Sequence, residues 1–280
     1  MGFKKVTFEG KRVSDKPPEE RSMNKNIDWN KLKLRMNPKR SPPRKYLTGL
    51  KSFDDWTGGI PYGATVIYGS AGCGKSLLVY NIALRAEHCL YFCSEVFSDA
   101  PSHTEYPNVD IIDYTNPTYR PHWRKALEEL DAFIEHLSPT LVIIDSITAF
   151  LSRTKKAVKE ADVPEGLSVI HSKYEGIVPI ICISEIRGVG YSRSTAGGES
   201  VKHNNSLLIE MDHIVVSFAS QQEQYSAELG EEIYTLRTVK DKHNLSTTKQ
   251  GKVILDIDDV PNIVPSRTPS AKTGIWGNGK

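Results

Sequence analysis

Short apolar runs recur through the middle of the chain, and a polar or helical stretch separates each run from the next. The five runs are ATVIY (64–68), CLYFC (89–93), VDIID (109–113), TLVIID (140–145) and VPIICIS (178–184). Runs as apolar as these are typical of strands that are buried on both faces of a sheet. The pattern therefore predicts an α/β fold with a mostly parallel central sheet.

Helical spacing appears between these runs, in residues 75–86 and 121–137. The second segment has one apolar stripe, formed by Leu127, Leu130, Phe133, Ile134 and Leu137. Later in the chain, three more strand-like runs follow one another with short connections: IEMDHIVVSF, EEIYTLRTV and KVILDI. We therefore expect helices to flank the sheet and an antiparallel C-terminal edge to extend it.

Charge is distributed unevenly along the 280 residues. Residues 1–45 hold fourteen Lys and Arg against five Asp and Glu, residues 46–262 hold nineteen against twenty-nine, and residues 263–280 hold three against none. We interpret these segments as a basic flexible N-terminal arm, an acidic globular core and a flexible C-terminal tail. Basic ends often contact polyanions such as nucleic acid, but a solvated, disordered segment explains the same composition.

Cysteine usage and hydropathy indicate the compartment. The four cysteines form no CxxC pair, and three of them lie in or beside apolar runs, which is typical of buried thiols in a reducing compartment. The N-terminal MGFKKVTFEG lacks the apolar segment of a secretory signal, and no stretch approaches the length of a membrane span. We expect a cytoplasmic protein, or a nuclear one if the source is eukaryotic, that does not associate with membranes.

The segment GSAGCGKS (69–76) follows the first predicted strand and opens a predicted helix, which is the context that a phosphate-binding loop requires. Its glycines let successive backbone N–H groups face phosphate oxygens, and the positive end of the helix dipole adds to that field. Lys75 is expected to reach the β- and γ-phosphates of ATP, and Ser76 to ligate Mg²⁺. The predicted nucleotide-binding residues here are Gly69, Ser70, Ala71, Gly72, Cys73, Gly74, Lys75, Ser76 and Leu77.

Two carboxylates follow buried strands. Asp145 ends the run TLVIID, and the carboxyl ends of strands border the crevice in which α/β proteins bind ligands. We expect Asp145 to hold the water shell of Mg²⁺, although an Asp at a strand end can also cap the next helix. Glu95 follows CLYFC, where it could deprotonate the water that attacks the γ-phosphate, or stand as a surface residue.

The order of six motifs resembles that of the RecA-like ATPases, the group that holds RecA, RadA, KaiC and the DnaB-type helicases. The lead-in TGLKSFDDWTGGIPYG precedes the phosphate loop, YFCSE and LVIIDSITAF follow it, and IICISEIRG, STAGGESVKH and LRTVKDK come last. The resemblance covers roughly residues 47–258 in one colinear order. It implies a RecA-like P-loop NTPase core that hydrolyses ATP with the help of Mg²⁺.

The resemblance also implies roles for individual residues. Glu95 matches the water-activating base, Asp145 the acidic residue of the Mg²⁺ shell, and Asp99 a position that contacts the adenine edge. Lys240 and Lys242 match lysines that reach the ATP site of a neighbouring subunit, which would make the active form a homo-oligomer, either a ring or a filament. Lysines on a solvated edge strand also occur simply because they discourage aggregation.

Glu185 stands where the family has a glutamine that senses the γ-phosphate (SEIR in place of NQIR). An amide can donate a hydrogen bond to a phosphate, whereas a carboxylate only accepts unless it is protonated. We therefore expect the coupling between the nucleotide and the following loop to differ from that of the family, through Ser184 or Arg187.

Two segments correspond to the loops with which recombinases hold single-stranded DNA, residues 152–166 and 187–198. Their candidate contacts are Arg153, Lys155, Lys156, Arg187, Tyr191 and Arg193. The cations would meet phosphates and the tyrosine could stack on a base. Solvated loop charge is the alternative, since Lys and Arg are common loop residues and the core is acidic.

Three functions remain open at this point. The leading hypothesis is a RecA/RadA-type ATPase of DNA recombination, repair or strand annealing, which binds single-stranded DNA and hydrolyses ATP at subunit interfaces. The second is a DnaB-like hexameric replicative helicase core, and the third a KaiC-like regulatory ATPase that binds no DNA. Binding to single strands would separate the third from the others, and unwinding of forks would separate the second.

Overall fold

A computed structural model describes residues 45–94, 106–115, 123–151, 162–187, 194–195, 201, 204–242, 250–255 and 261–265. The chain divides into two units between Pro42 and Pro43, and all described residues belong to the second. The predicted N-terminal arm, apart from Lys45, and the tail beyond residue 265 lie outside the described residues.

The described elements alternate between strand and helix through the first two thirds of this unit. The helices are α1 (Lys51–Thr57), α2 (Lys75–Ala83), α3 (Trp123–Leu137), α4 (Ile147–Phe150), α5 (Asp162–Tyr174) and α6 (Ala219–Tyr225). The strands are β1 (Lys45–Tyr46), β2 (Ile60–Pro61), β3 (Gly63–Gly69), β4 (Cys89–Cys93), β5 (Val109–Asp113), β6 (Leu141–Asp145), β7 (Pro179–Arg187), β8 (Ser194–Thr195), β9 (Leu207–Val215), β10 (Glu232–Asp241), β11 (Gln250–Leu255) and β12 (Pro261–Pro265).

One large sheet organises the unit, with the strand order β5-β4-β6-β7-β3-β9-β10-β11-β12. The first six strands in this order are mutually parallel, and β10 to β12 continue the sheet in antiparallel fashion. We call the edge at which the parallel strands end the carboxyl edge, and the edge at which they begin the amino edge. The predicted α/β class with a mostly parallel sheet and an antiparallel C-terminal edge is therefore confirmed.

The sheet is covered by helices on both faces, as its apolar strands predict. Side chains alternate along a strand, so odd and even positions of β3, β6 and β7 belong to opposite faces. Ile67, Ile143 and Ile181 pack with α1 and α2 in one buried cluster. Their neighbours on the same strands pack with α3, α4 and α5 in a second cluster. Burial on both faces explains why these runs contain almost no polar residue.

Several predicted bounds need correction. The strand β9 was expected in the antiparallel edge, but it pairs in parallel with β3, so that edge begins at β10. The connection between β9 and β10 is also longer than expected and contains α6. Helix α5 begins at Asp162, inside the segment 152–166 that was predicted as a loop. At the end of the core, β12 carries the sheet to Pro265, three residues beyond the predicted boundary at 262.

Helix predictions hold with smaller differences. Helix α2 begins at Lys75 as predicted but ends at Ala83, because Arg85 and Ala86 bond three residues back and tighten the chain before β4. In α3 the predicted stripe is confirmed: Leu127 and Leu130 are buried, and the other three members pack against the same cluster.

All four cysteines are free, and Cys73, Cys89 and Cys182 are buried as expected. In the part of the chain that the structure describes, no helix has both the length and the apolar character needed to cross a membrane.

Candidate nucleotide-binding site

The segment 69–76 connects β3 to α2 at the carboxyl edge, as the sequence predicts. Gly69 ends the strand in register with Met211 of β9, and Gly74 precedes the helix in a left-handed conformation with φ +85°. Ala71 and Gly72 are exposed at the tip of the loop. The first N–H groups of a helix have no partner within it, so the start of α2 presents donors and a positive dipole end beside this exposed tip.

Lys75 is held against the loop that it follows. Its Nζ donates to the carbonyl oxygens of Gly69 at 3.1 Å and Ser70 at 2.7 Å, and the residue is only 8% exposed. The amine is therefore held against the backbone at the start of the loop, and its charge lies close to the loop amides.

Cys73 anchors the loop to the neighbouring strand. Its side chain is fully buried, and its Sγ donates to the Met211 carbonyl oxygen at 3.3 Å. Burial raises the pKa of Cys73, while the Lys75 charge works in the opposite direction. The thiol is thus a packed, protonated donor that fixes the loop against β9.

Asp145 ends β6 at the same carboxyl edge, with one strand, β7, between it and β3. The residue is 5% exposed, and its carboxylate accepts a hydrogen bond from Tyr91 Oη at 3.0 Å. Burial raises the pKa of Asp145, and the hydroxyl groups of Ser76 and Tyr91 and the Lys75 charge partly offset that rise. The two predicted Mg²⁺ residues, Ser76 and Asp145, are therefore close enough for the serine to lower the pKa of the carboxylate.

Tyr91 and Ser94 are members of this site that the sequence reasoning missed. Tyr91 lies on β4, which pairs with β6, and its ring is buried on the face that α2 covers. Burial, together with the Asp145 charge, raises the pKa of Tyr91, so its hydroxyl remains a donor. Ser94 donates to the Asp145 carbonyl oxygen through both N and Oγ at 2.7 Å. A tyrosine in the run CLYFC was the only signal, and it does not reveal its partner.

A further contact links the loop to β9. Ser70 Oγ donates to Asp212 Oδ1 at 2.7 Å, and the same oxygen accepts from the His213 backbone N–H at 2.9 Å. The contact spans 142 positions of sequence, so no local pattern predicts it. The Asp212 carboxylate therefore lies beside Ser70, at the start of the phosphate loop.

The third strand of the site is β7, which lies between β3 and β6. Glu185 stands in register with Gly69, and its side chain is exposed. The strand continues to Arg187 and then pairs with β8, through Ile186 with Thr195 and Arg187 with Ser194. Part of the predicted loop 187–198 therefore belongs to an antiparallel strand pair that starts at Ile186, one residue after Glu185.

Lys240 and Lys242 lie at the amino edge, on the opposite side of the sheet from the phosphate loop. Lys240 is in β10 opposite Leu208, and its Nζ donates to the Asn205 carbonyl oxygen at 2.7 Å. Lys242 lies one residue beyond the end of β10 and forms an ion pair with Glu175 at 2.9 Å. Burial and the nearby Lys242 lower the pKa of Lys240. Neither lysine reaches the phosphate loop of its own chain in this arrangement.

Several predicted site residues lie outside the described residues. They are Glu95, Asp99, Arg153, Lys155, Lys156, Tyr191 and Arg193. The backbone of Arg187 is described as part of β7, but its side chain is not. This described segment ends at Ser94, which immediately precedes Glu95 in the sequence.

Comparison with known proteins does not add to this picture. No protein-family model matches the chain, and no curated protein sequence matches it.

Proposed function

We propose that this chain is an ATPase with a RecA-like core that binds single-stranded DNA and hydrolyses ATP at interfaces between subunits, in DNA recombination, repair or strand annealing. The observation that carries the proposal is that the buried Asp145, at the end of β6, lies at the same edge of the sheet as the phosphate loop, where Ser76 and Lys75 both lower its pKa. A hydroxyl, a carboxylate and a buried lysine grouped in this way form the arrangement expected for a magnesium–triphosphate complex.

The residues present fit Mg²⁺. This cation prefers oxygen ligands and retains water molecules, so one hydroxyl and one carboxylate suffice when phosphate oxygens supply the rest. Ser76 and Asp145 would hold the ion, and Lys75 would neutralise charge on the phosphates from the loop side. When bound, Mg²⁺ withdraws negative charge from the phosphate oxygens. Glu95 would accept the proton of the attacking water, as its place after β4 suggests.

The sheet supports the RecA-like assignment and a route from nucleotide to DNA. The strands that carry the phosphate loop and Asp145 are separated only by β7, whose Glu185 is in register with Gly69. The pairing of β7 with β8 begins at Ile186, and the sequence between the two strands contains Tyr191 and Arg193. A change beside the phosphate loop would thus act one residue away from the strand pair that flanks these two DNA-contact candidates.

The lysine pair supports hydrolysis between subunits. Lys240 and Lys242 lie at the amino edge, whereas the phosphate loop lies at the carboxyl edge. Both side chains contact groups of their own chain at that edge, so a nucleotide that they reach would belong to another copy. A head-to-tail assembly, in which the amino edge of one copy meets the carboxyl edge of the next, would bring them there.

Phosphate release by the purified chain tests the proposal. We expect Mg²⁺-dependent ATP hydrolysis that single-stranded DNA stimulates, and a loss of about a hundredfold or more in Lys75→Ala. Lys51→Ala is the matched control, because Lys51 is an exposed lysine of α1 that pairs with Asp55 and contacts no part of the loop. Hydrolysis that is indifferent to DNA would favour the KaiC-like alternative, and unwinding of a forked duplex would favour the helicase.

The DNA contacts are tested by salt dependence. Each phosphate contact to a single strand contributes about 0.7 to the slope of log affinity against log salt concentration. Removal of both charges in Arg187→Ala with Arg193→Ala should lower that slope and weaken binding, while hydrolysis without DNA is retained. A loss of basal hydrolysis with unchanged DNA binding would assign these arginines to the nucleotide instead.

A further inference from the structure

We infer that Tyr91 is a positioning residue that holds the Asp145 carboxylate for Mg²⁺ through its hydroxyl group. This inference rests on the proposed function, since it concerns the same metal site. Tyr91 Oη lies 3.0 Å from Asp145 Oδ2, and the two residues are 6% and 5% exposed. No motif in the sequence assigns a role to this tyrosine.

The strand register explains how the contact forms. In the parallel pair of β4 and β6, Cys93 is opposite Asp145 and Tyr91 is opposite Ile143. Tyr91 and Asp145 are therefore diagonal neighbours on one face, at a separation that an aromatic side chain spans but a short side chain does not. Only a long, rigid side chain with a polar end can approach the carboxylate from within the sheet.

The hydrogen bond has one possible direction. An ionised carboxylate only accepts hydrogen bonds, so the phenol must donate. Tyr91 donates to Oδ2, which leaves the second oxygen of the carboxylate for other partners. A carboxylate can accept about four hydrogen bonds, so positions remain for water molecules of a metal shell. A buried donor fixed by its ring leaves the carboxylate less freedom to rotate, which preorganises it for a cation.

Packing alone does not require the hydroxyl group. The Tyr91 ring belongs to the apolar cluster under α2, where a phenylalanine would fill almost the same volume. A buried hydroxyl is costly unless it is paired, so the tyrosine is tolerated because Asp145 accepts its hydrogen bond. The hydroxyl group therefore acts on the carboxylate through its hydrogen bond. Tyr91→Phe removes this hydrogen bond and preserves the packing of the core.

Nucleotide binding measured with and without Mg²⁺ tests the inference. A fluorescent ADP analogue is titrated into the full chain in excess chelator, and Mg²⁺ is then titrated into the complex. In Tyr91→Phe we expect the dissociation constant in chelator to stay within about twofold, and the Mg²⁺ concentration at half-saturation to rise about three- to tenfold, which is within the range for the net loss of one typical hydrogen bond. A tyrosine with only a packing role would leave the Mg²⁺ midpoint unchanged.

Tyr114→Phe is the matched control. Tyr114 Oη also donates to a carboxylate, Glu129 Oε2 at 2.6 Å, but it packs in the cluster on the other face of the sheet. Its variant should titrate with Mg²⁺ like the unmodified chain. A shift of equal size in both variants would overturn the specific role of Tyr91.

A double-mutant comparison separates the possible failures. If Tyr91 acts through Asp145, Tyr91→Phe should cause no further shift in an Asp145→Asn background, and this comparison stays informative if the single variant is poorly stable. An unchanged Mg²⁺ midpoint in Tyr91→Phe overturns the inference alone. An unmodified chain whose nucleotide affinity does not respond to Mg²⁺ overturns the inference and the proposed metal site together.

Discussion

Gly69 and Met211 approach so closely that a Cβ atom on Gly69 would stand 1.8 Å from the Met211 carbonyl oxygen. The two residues are register partners at the carboxyl ends of β3 and β9. Cys73 also donates a hydrogen bond to the Met211 carbonyl oxygen. The first residues of the phosphate loop are therefore packed directly against the backbone of β9.

Gly69→Ala should therefore destabilise the chain far more than Gly72→Ala. The Cβ added at position 69 would meet backbone, which cannot move without separating two central strands, so we expect a loss of at least about 3 kcal/mol in the free energy of unfolding. Gly72 has φ +73° but open space around a Cβ, and its variant should lose only about 1 kcal/mol. Urea unfolding without nucleotide measures both, and equal losses would contradict the close approach of β3 to β9.

Asp145→Asn should raise the stability of the empty chain near neutral pH. Burial raises the pKa of Asp145 above its ordinary value of 3.8, so the folded state binds a proton more tightly than the unfolded state does. The contribution of this group to stability is therefore highest at acidic pH and falls as pH rises through the ordinary value towards the raised one. Asparagine is uncharged like the protonated acid, so the variant does not lose stability through ionisation of this buried group as the pH rises.

The measurement is the free energy of unfolding at pH 7 and near pH 4, without nucleotide or metal. We expect Asp145→Asn to be more stable than the unmodified chain at pH 7, and the difference to narrow near pH 4. The same variant should raise the Mg²⁺ concentration that half-saturates the nucleotide complex, because the ion then lacks its carboxylate. If Asp145→Asn is instead less stable than the unmodified chain at pH 7, the ionised carboxylate stabilises the fold through its hydrogen bonds, and the expected destabilisation by burial is contradicted.

Glu95→Gln should separate nucleotide binding from hydrolysis. Glutamine keeps the size of the side chain but cannot take a proton from water, so we expect turnover to fall about 10²- to 10⁴-fold while ATP binding is retained. Single-turnover hydrolysis and equilibrium binding of ATP measure the two effects. Normal turnover in this variant would remove Glu95 from the chemistry.

Mixed assemblies test whether the lysines act between subunits. Lys75→Ala subunits have a defective loop and intact lysines at the amino edge, whereas Lys240→Ala subunits have the reverse. If Lys240 completes a neighbouring site, mixing the two inactive proteins should restore part of the hydrolysis, because some interfaces combine an intact loop with an intact lysine. Activity measured across mixing ratios gives the answer, and no recovery at any ratio favours a solvated edge strand.

The local parts of this protein follow from its sequence alone. The five apolar runs become β3 to β7, five parallel strands of the sheet, because burial in a sheet leaves a short, continuous apolar signal. The phosphate loop is equally local, since a strand, closely spaced glycines and a helix start specify its shape within eight residues. Helix α5 was not predicted, because it begins inside a charged segment whose pattern resembles a loop.

Only the tertiary structure decides which of these parts meet. Ser70 contacts Asp212 across 142 positions, and Tyr91 contacts Asp145 across 54. Such pairs depend on strand order and register, which are set by the packing of the whole sheet and leave no periodic trace in the chain. The same cause placed β9 beside β3 and put Lys240 and Lys242 at the edge remote from their own phosphate loop. Local patterns predict the secondary structure of a segment. The contacts of a buried carboxylate such as Asp145 depend instead on strand order and register, which only the tertiary structure determines.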